Sequence, residues 1–464
     1  MIGSLARWLD SRTRSAKFAR SVMNHVFPDH WSFMLGEIAF YSFVVLVITG
    51  TFMALFFDGS SADVIYRGTY RPLVGVHMSA AYQSVLHLSF DVPAGLLVRQ
   101  MHHWAADIFI GSIVAHLARI YFTAAYRKPR ELNWMIGLTL LLFAIVNGFL
   151  GYSICDDLLS GAGLRIGYSI LLSVPIIGPW LTFLAFGGTI PVSATIPRLY
   201  AMHIYLVPAI IATLIGIHLA LIWRQMHTNY PGKGRSDKLI VGSRLWPSYT
   251  LKSAGLFLFV FGLVAALGSF VQIDPVWIYG PFKADAIIPG AQPDWYLGWV
   301  EGAMRLFPGV HVHFGRWLIP ELFFPGFLLP CVVFVVLYAF PFIDKLISLD
   351  FRAHNLLRLP WEQPFNTALG CAAFAFLAVL FVAGGDDVIA VANHSSIVWL
   401  RDLLRYLAFA LPIFTGALVY VICEVTRRRH HGDKAAVAPL AVSVLVSETS
   451  HTQQLTNHAR GEAG

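Results

Sequence analysis

The feature that most constrains this chain is a series of eight apolar stretches, each near the length of about 20 residues that crosses a bilayer as an α-helix. Apolar residues make up 57% of the 464 residues and charged residues only 13%, a composition typical of membrane proteins. The stretches lie at residues 33–57, 95–123, 134–154, 199–223, 250–271, 318–342, 366–384 and 400–423. We therefore expect an all-α, multi-pass membrane protein with eight transmembrane helices.

A further apolar segment, residues 164–186, is interrupted near its centre by Pro175, Gly178 and Pro179. Proline breaks a helix because it lacks the N–H group and clashes with the preceding turn. We interpret this segment as a helical hairpin that lies on, or dips into, one membrane face between the third and fourth spans.

The distribution of Lys and Arg predicts the orientation of the chain, because cytoplasmic loops carry an excess of these residues. They concentrate in the N-terminal segment, in the connections after the second, fourth and sixth spans, and directly after the eighth. The other connections are mixed or acidic. Both termini are therefore expected in the cytoplasm. The net charge of +7 reflects this topology, and we expect no nucleic-acid partner.

Composition divides the chain into four predicted parts. Residues 1–30 form an amphipathic, basic N-terminal segment, residues 31–230 a first four-helix unit, and residues 231–425 a second four-helix unit. Residues 426–464 lack an apolar pattern long enough for a packed core, so we expect a flexible cytoplasmic tail.

Histidines recur in the second and fourth spans: His102 and His116 on one, His203 and His218 on the other. On an α-helix, the 14-residue separation brings the second ring to within about 40° of the first and roughly 21 Å further along. The 15-residue separation gives about 60° and roughly 22 Å. Each helix is therefore expected to show two imidazoles on one face, one near each leaflet.

Both spans run in the same direction in the predicted topology, so their packing would place His102 opposite His203 and His116 opposite His218. A single membrane histidine is more often a residue that hydrogen-bonds between helices, but four in matched pairs favour two haems b. Iron held by two imidazoles has no open position, which suits electron transfer. His103 points about 140° away from His116 and is expected to belong elsewhere.

Arginines and glycines accompany the histidines. Arg99 and Arg119 each lie three residues from a histidine on the same side of the helix, where they suit haem propionates, although interfacial snorkelling also explains them. Two glycine pairs on the first and third spans repeat the 14-residue spacing and would let a porphyrin approach the backbone, although packing of small residues is the alternative. These glycines are Gly36, Gly50, Gly137 and Gly151.

Over about residues 30–425 the sequence resembles the cytochrome b subunit of cytochrome bc complexes, the quinol:cytochrome c reductases. The resemblance is carried by residues 91–106 (DVPAGLLVRQMHHWAA), the histidine spacings, the glycine pairs and residues 293–296 (PDWY). This last tetrapeptide, the PDWY segment, looks like the family's Pro-Glu-Trp-Tyr motif with Asp in place of Glu. The Asp form and the 15-residue spacing resemble bacterial, including actinobacterial, complexes that use low-potential quinones such as menaquinol.

The resemblance implies a low-potential haem at His102 and His203 near the outer face and a high-potential haem at His116 and His218 near the inner face. Quinol would be oxidised near the outer face. One electron would pass to an iron-sulfur protein and the other through both haems to an inner quinone, which is the proton-translocating Q-cycle.

The resemblance also implies that Asp294 and Tyr296 line the oxidation pocket, with Asp294 accepting a quinol proton. A partly desolvated carboxylate is suited to that role, and Glu301 is a second one nearby. Taken alone, PDWY also fits a proline-led helix start with an acidic first turn. Arg224 and His227 are candidates for the inner quinone site, with interfacial anchoring as the alternative.

The sequence contains no Cys-x-x-Cys-His motif and no iron-sulfur cysteine set, so the outer electron acceptor is expected to be another chain. The resemblance implies a Rieske iron-sulfur protein, a cytochrome c subunit with a terminal oxidase, a homodimer, and the plasma membrane of a bacterium. The alternatives are a di-haem membrane anchor of another quinone-linked oxidoreductase, which usually has fewer spans and lacks PDWY, and a transporter whose histidines relay protons.

Overall fold

The computed structural model describes residues 2–286, 288, 290–315 and 317–461. Within these residues, eight helices are long and apolar enough to cross a membrane, which confirms the predicted all-α architecture. They are Trp31–Ala54, Gly95–Phe122, Glu131–Ser153, Thr195–Gln225, Leu245–Phe270, Phe323–Ser348, Pro364–Gly384 and Ile397–His430.

Several spans begin at different residues from those predicted, and local contacts explain the differences. The sixth begins at Phe323 rather than near residue 318, because Trp317–Ile319 forms a strand that pairs with Val312–Phe314. The first begins at Trp31, directly after His30, whose Nδ1 accepts a hydrogen bond from the Ser32 backbone N–H. Such a cap satisfies one of the donors left free at a helix start.

Short elements connect the spans. The other two strand pairs are also antiparallel: Val26–Phe27 with Ser243–Arg244, and Asp63–Ile65 with His77–Ser79. The remaining helices of four or more residues outside the spans, within the described part of the chain, are Ile2–Thr13, Ser15–Met23, Ala80–Phe90, Leu158–Leu172, Gly178–Phe186, Val276–Tyr279, Gly298–Leu306 and Asp386–Ala392.

The predicted hairpin consists of helices Leu158–Leu172 and Gly178–Phe186, which pack on each other. The first helix begins six residues before the predicted position of 164, because the Asp157 carboxylate caps it by accepting from the backbone N–H groups of residues 159 and 160. A Cβ at Gly178 would lie 2.3 Å from the Leu172 carbonyl oxygen, so the chain reverses tightly here. Its position relative to a membrane stays a prediction.

Two groups of buried side chains form most of the core. One lies among the second, third and fourth spans and includes Leu138, Ile211 and Tyr296. The other joins the seventh and eighth spans to helix Gly298–Leu306 and includes Ala383. The PDWY segment and the helix after it therefore connect the first four spans to the last two.

The eighth span is the start of a longer helix, Ile397–Gly461. The flexible character predicted for residues 426–464 stays a prediction, and residues 462–464 lie outside the described part of the chain. The division at residues 30, 230 and 425 also stays a prediction.

Candidate functional site

The structure brings together the first predicted histidine pair, His102 and His203. Their ring centroids lie 6.1 Å apart with the ring planes at 73°. His102 Nδ1 lies 2.9 Å from Thr49 Oγ1, and His203 Nδ1 lies 3.0 Å from the Asn147 carbonyl oxygen. Because both Nδ1 atoms are engaged, Nε2 is the nitrogen left on each ring for a metal.

The second predicted pair, His116 and His218, is also brought together. Its ring centroids lie 6.5 Å apart with the planes at 70°. In contrast to the first pair, His116 Nδ1 is buried with no hydrogen-bond partner among the described residues. We call His102 and His203 the PDWY-side pair, because the neighbouring His103 contacts the PDWY segment, and His116 and His218 the far-side pair.

The spacing of both pairs fits a metal between two imidazoles. An imidazole nitrogen binds a metal at about 2.0–2.1 Å and each ring centroid lies about 1.1 Å behind its nitrogen, so opposed rings are about 6.3 Å apart. The observed 6.1 and 6.5 Å bracket this value. The described residues contain no group of three or more His, Cys, Asp or Glu side chains able to hold a metal ion. Each pair supplies two imidazole ligands, the number that a haem iron takes from the protein when it is held by two histidines.

Three of the four predicted glycines lie directly against these rings. A Cβ added at Gly50 would lie 3.1 Å from the His102 ring, and one at Gly36 would lie 3.2 Å from the His116 ring. At Gly151 it would lie only 2.5 Å from the His203 ring, closer than a real Cβ approaches another atom. The fourth, Gly137, faces a leucine side chain at 3.4 Å, an ordinary contact, and is not beside a histidine ring.

The two predicted arginines are buried or covered by aromatic rings. Arg99 donates from Nη2 to the Asp274 carbonyl at 2.7 Å, and its Nε has no partner among the described residues. The Arg119 guanidinium lies over the Phe33 ring, 4.2 Å from its centroid, and its Nε and Nη2 are likewise buried without a partner there. Buried donors without acceptors are costly, so both arginines suit an anionic group such as a propionate.

The predicted catalytic residues Asp294, Tyr296 and Glu301 line one cavity of 260 Å³. Its walls are mainly apolar and come from the third span, the first hairpin helix and the sixth span; Phe149 and Phe334 are examples. A concave, mostly apolar pocket with a few polar groups is the usual form of a small-molecule site.

The Asp294 carboxylate is held by two hydrogen bonds. The Tyr296 hydroxyl donates to Oδ2 at 2.9 Å, and His103 Nε2 lies 3.1 Å from Oδ1. Burial raises the pKa of Asp294, but His103 and the Tyr296 hydroxyl outweigh burial and bring the pKa below its ordinary value. Burial raises the pKa of Tyr296 well above its ordinary value, and the adjacent carboxylate raises it further. Asp294 is therefore ionised near neutral pH and able to accept a proton.

The two predicted inner-site residues, His227 and Arg224, differ in how deeply they are buried. The His227 ring lies 4.4 Å from the Phe27 ring and 5.7 Å from the His25 ring, and its Nε2 is buried without a partner among the described residues. Burial, helped by His25 and Arg130, lowers the pKa of His227 to about 4. Arg224, by contrast, is exposed at the surface of the chain.

Comparisons with known proteins agree with this geometry. Residues 107–281 match the family described as cytochrome b(N-terminal)/b6/petB. The cytochrome bc1 complex cytochrome b subunit of Mycobacterium bovis is 47% identical over 416 residues, which are 89% of this chain and 76% of that protein. The corresponding subunit of Mycobacterium leprae is 46% identical over 451 residues, 97% of this chain and 81% of that protein.

The chain belongs to the cytochrome b subunits of cytochrome bc1 complexes. The same subunit of Streptomyces coelicolor is 40% identical and covers 98% of the chain. A solved structure titled "Hyperthermophilic respiratory Complex III" shares the fold, with a TM-score of 0.66, 21% identity, and coverage of 89% of this chain and 98% of that one.

Membership of the cytochrome b subunits confirms the prediction of the cytochrome b subunit of a quinol:cytochrome c oxidoreductase. It implies haem b as the cofactor, and it favours this function over a di-haem anchor of another enzyme and over a transporter. With eight apolar helices among its described residues, the cytochrome b chain is a multi-pass protein of a bacterial membrane.

Sequence reasoning missed three residues of the cytochrome b site: His103, Thr49 and Asn147. The spacing places His103 off the face that His102 and His116 share, but it does not predict the contact of His103 with Asp294. Thr49 adjoins Gly50, and Asn147 is a polar residue within an apolar span. Polar groups at such positions are a usable signal of function.

Proposed function

We propose that this cytochrome b chain holds two haems b, one between His102 and His203 and one between His116 and His218. The observation that carries this proposal is the pair of ring separations, 6.1 and 6.5 Å, between histidines of the second and fourth spans. Haem held by two imidazoles exchanges single electrons and offers no open coordination position. The PDWY-side pair is the low-potential site and the far-side pair the high-potential site.

In this proposal quinol binds in the cavity beside Asp294 and loses two protons and two electrons. Asp294 accepts one proton, because His103 and Tyr296 keep its carboxylate ionised before quinol arrives. Glu301, in the same cavity, is the second candidate acceptor. The walls are mainly apolar, so these side chains are the proton acceptors that the cavity offers.

One electron leaves to a partner Rieske iron-sulfur protein, and the other reaches a quinone at the inner face near His227 and Arg224. Support for the inner site comes from the Nε2 atom of His227, which is buried and has no hydrogen-bond partner within the described part of the chain. Menaquinol is the proposed substrate, because the Asp form of the PDWY segment and the 15-residue histidine spacing resemble those of bacterial complexes that use low-potential quinones.

The proposed partners are the Rieske protein, a cytochrome c subunit with a terminal oxidase, a second copy of the chain and the lipid bilayer. The location is the plasma membrane with both termini in the cytoplasm. The alternation of basic and acidic connections supports this orientation.

A redox titration of the visible spectrum tests the haem assignment. His203→Ala and His116→Ala, each in the complete complex, are compared with wild type and with His87→Ala, which removes an exposed histidine outside both pairs. We expect two b-type components in wild type and in His87→Ala, and the loss of a different component in each of the other variants.

Retention of both components in His203→Ala would contradict the assignment of that pair. Loss of the same component in both variants would contradict two separate sites. A wild-type complex without any b-type absorbance would overturn the proposal as a whole.

A further inference from the structure

One turn of the third span contacts both the PDWY-side pair and the PDWY segment. At its start, the Asn147 carbonyl oxygen lies 3.0 Å from His203 Nδ1. At its end, a Cβ at Gly151 would lie 2.5 Å from the His203 ring. Gly148, within the same turn, faces Tyr296 instead. The turn therefore lies between a proposed haem ligand and the proposed quinol cavity.

Gly148 leaves free the space that the Tyr296 hydroxyl group occupies. A Cβ built on Gly148 would lie 2.8 Å from Tyr296 Cζ and closer still to the hydroxyl oxygen, whereas real Cβ atoms essentially never come within 3.0 Å of another atom. Among the described residues, the three atoms nearest to that Cβ outside its own helix backbone all belong to Tyr296. Close packing of helix backbones, the common reason for small residues in membrane helices, therefore does not account for this glycine.

The backbone of the PDWY segment is held in place by the helix that follows it. This helix, Gly298–Leu306, packs backbone to backbone on the seventh span, since a Cβ at Gly302 would lie 2.7 Å from the Gly384 nitrogen. Only glycine fits at so close an approach of two backbones. A methyl group added at position 148 must therefore be accommodated by the Tyr296 side chain.

Movement of the Tyr296 side chain would change the surroundings of Asp294. Tyr296 is 4% exposed and lines the cavity, so the space into which its ring can move is the cavity itself. The hydroxyl group would then leave Asp294 Oδ2, to which it donates at 2.9 Å, while His103 remains 3.1 Å from Oδ1. Since the hydrogen bond from Tyr296 favours the ionised carboxylate, its loss raises the pKa of Asp294.

We propose that Gly148 is a positioning residue: because it carries no side chain, the Tyr296 hydroxyl group can reach the Asp294 carboxylate. The same turn of the third span therefore positions two groups separately. Gly148 positions the support of the proton acceptor, and the residues at the two ends of the turn position the His203 ring. This inference rests on the proposed oxidation of quinol in the cavity, and Gly148 itself transfers neither a proton nor an electron.

The test measures kcat of the complete complex across pH, at saturating reduced naphthoquinone, for wild type and Gly148→Ala. A raised pKa of Asp294 moves the acid limb of kcat to higher pH, because the carboxylate must be ionised to accept a proton. We therefore expect kcat of Gly148→Ala to fall about 3-fold at the acid end and to approach the wild-type value at the alkaline end. Both b-type components should keep their midpoint potentials, since the contacts of His203 are unchanged.

Gly262→Ala is the matched control. It also adds a methyl group to a membrane span, but no described atom lies within 4 Å of the added Cβ. We expect this variant to have the wild-type kcat at each pH. A uniform fall of kcat in Gly148→Ala with an unmoved acid limb would assign Gly148 to helix packing and overturn the inference.

A double variant shows whether Gly148 and Tyr296 act through one hydrogen bond. Tyr296→Phe alone removes that bond, so adding Gly148→Ala should move the acid limb no further. Shifts of the acid limb that add would contradict the inference. If Gly148→Ala does not assemble with its haems, the double variant decides, because phenylalanine lacks the oxygen nearest to the added Cβ. Recovery of both b-type components would support the inference, and failure to recover them would overturn it.

Asp294→Asn, measured in parallel, distinguishes this inference from the proposed function. A slow Asp294→Asn beside a Gly148→Ala variant with the wild-type pH dependence would overturn the role of Gly148 alone. Wild-type rates in both variants at every pH would overturn the use of this cavity for quinol oxidation as well.

Discussion

The two histidine pairs are alike in spacing and different in their surroundings. Thr49 and the Asn147 carbonyl hold both rings of the PDWY-side pair at Nδ1, and this pair adjoins the cavity with its ionised carboxylate. In the far-side pair, His116 Nδ1 has no partner among the described residues. The difference teaches that the two pairs share a ring spacing but not their supporting contacts: hydrogen bonds hold both rings of the pair beside the proposed site of quinol oxidation.

The largest effect is expected from the carboxylate in the cavity on the PDWY side. Asp294→Asn should slow quinol oxidation about 100-fold, because it removes a positioned proton acceptor. Both haem components should remain in the visible spectrum, since no histidine of either pair contacts Asp294. His227→Gln, at the proposed inner quinone site, is the comparison and should leave oxidation at the cavity unchanged in pre-steady-state measurements. Equal slowing in both variants would contradict a special role for the PDWY side.

The glycines offer a second way to separate the pairs. Gly151→Ala should displace the His203 ring, because a Cβ would lie 2.5 Å from it, and should remove or shift the PDWY-side component in a redox titration. Gly137→Ala meets Leu117 at an ordinary 3.4 Å and is the matched control, expected to retain both components. If both substitutions altered the spectrum equally, the result would contradict the prediction that the contact with the His203 ring causes the change.

Loss of the hydrogen bond that holds the His102 ring should have a smaller effect, confined to the PDWY-side pair. Thr49→Val keeps the shape of the side chain and removes its hydrogen bond to His102, worth about 1 kcal/mol. We expect the midpoint potential of the PDWY-side component to change while the far-side component keeps its value. A shift of both components, or of the far-side component alone, would contradict the assignment of Thr49.

The smallest effect is expected in the pH dependence. Tyr296→Phe removes a hydrogen bond that lowers the pKa of Asp294, so that pKa rises. The ionised carboxylate is the proton acceptor and is lost as pH falls through its pKa. The acid limb of kcat should therefore move to higher pH, by less than about one pH unit. A shift to lower pH would contradict this hydrogen-bond arrangement.

The fold was largely predictable because the patterns that predict it lie within single continuous segments of the sequence. Runs of about 20 apolar residues predict spans, and the helical period places His102 and His116 on one face. The start of the hairpin at Leu158 was not predictable from hydropathy, because the capping carboxylate of Asp157, rather than apolar content, decides it. The start of the sixth span likewise depends on a strand pair that hydropathy does not reveal.

The candidate site was predictable where it repeats along one helix and not where it joins distant segments. His103 lies 191 residues from Asp294, and Glu301 is 85 residues from Asp386, so no sequence period relates them. Only packing brings His103 within hydrogen-bonding distance of Asp294. It also brings Glu301 and Asp386 to the same guanidinium group, that of Arg305. Gly137 illustrates the opposite case: it has the right spacing but faces Leu117, because the spacing fixes a helical face and not its neighbour.

By itself, the sequence determined that the chain crosses a membrane eight times and that two pairs of imidazoles lie one above the other. Both follow from the cost of burying polar groups in lipid and from the rise of the α-helix. The tertiary structure alone decided which carboxylates share the cavity and which groups keep Asp294 ionised. The reason is that pKa values and ion pairs depend on distances of about 3–4 Å between groups far apart in the chain.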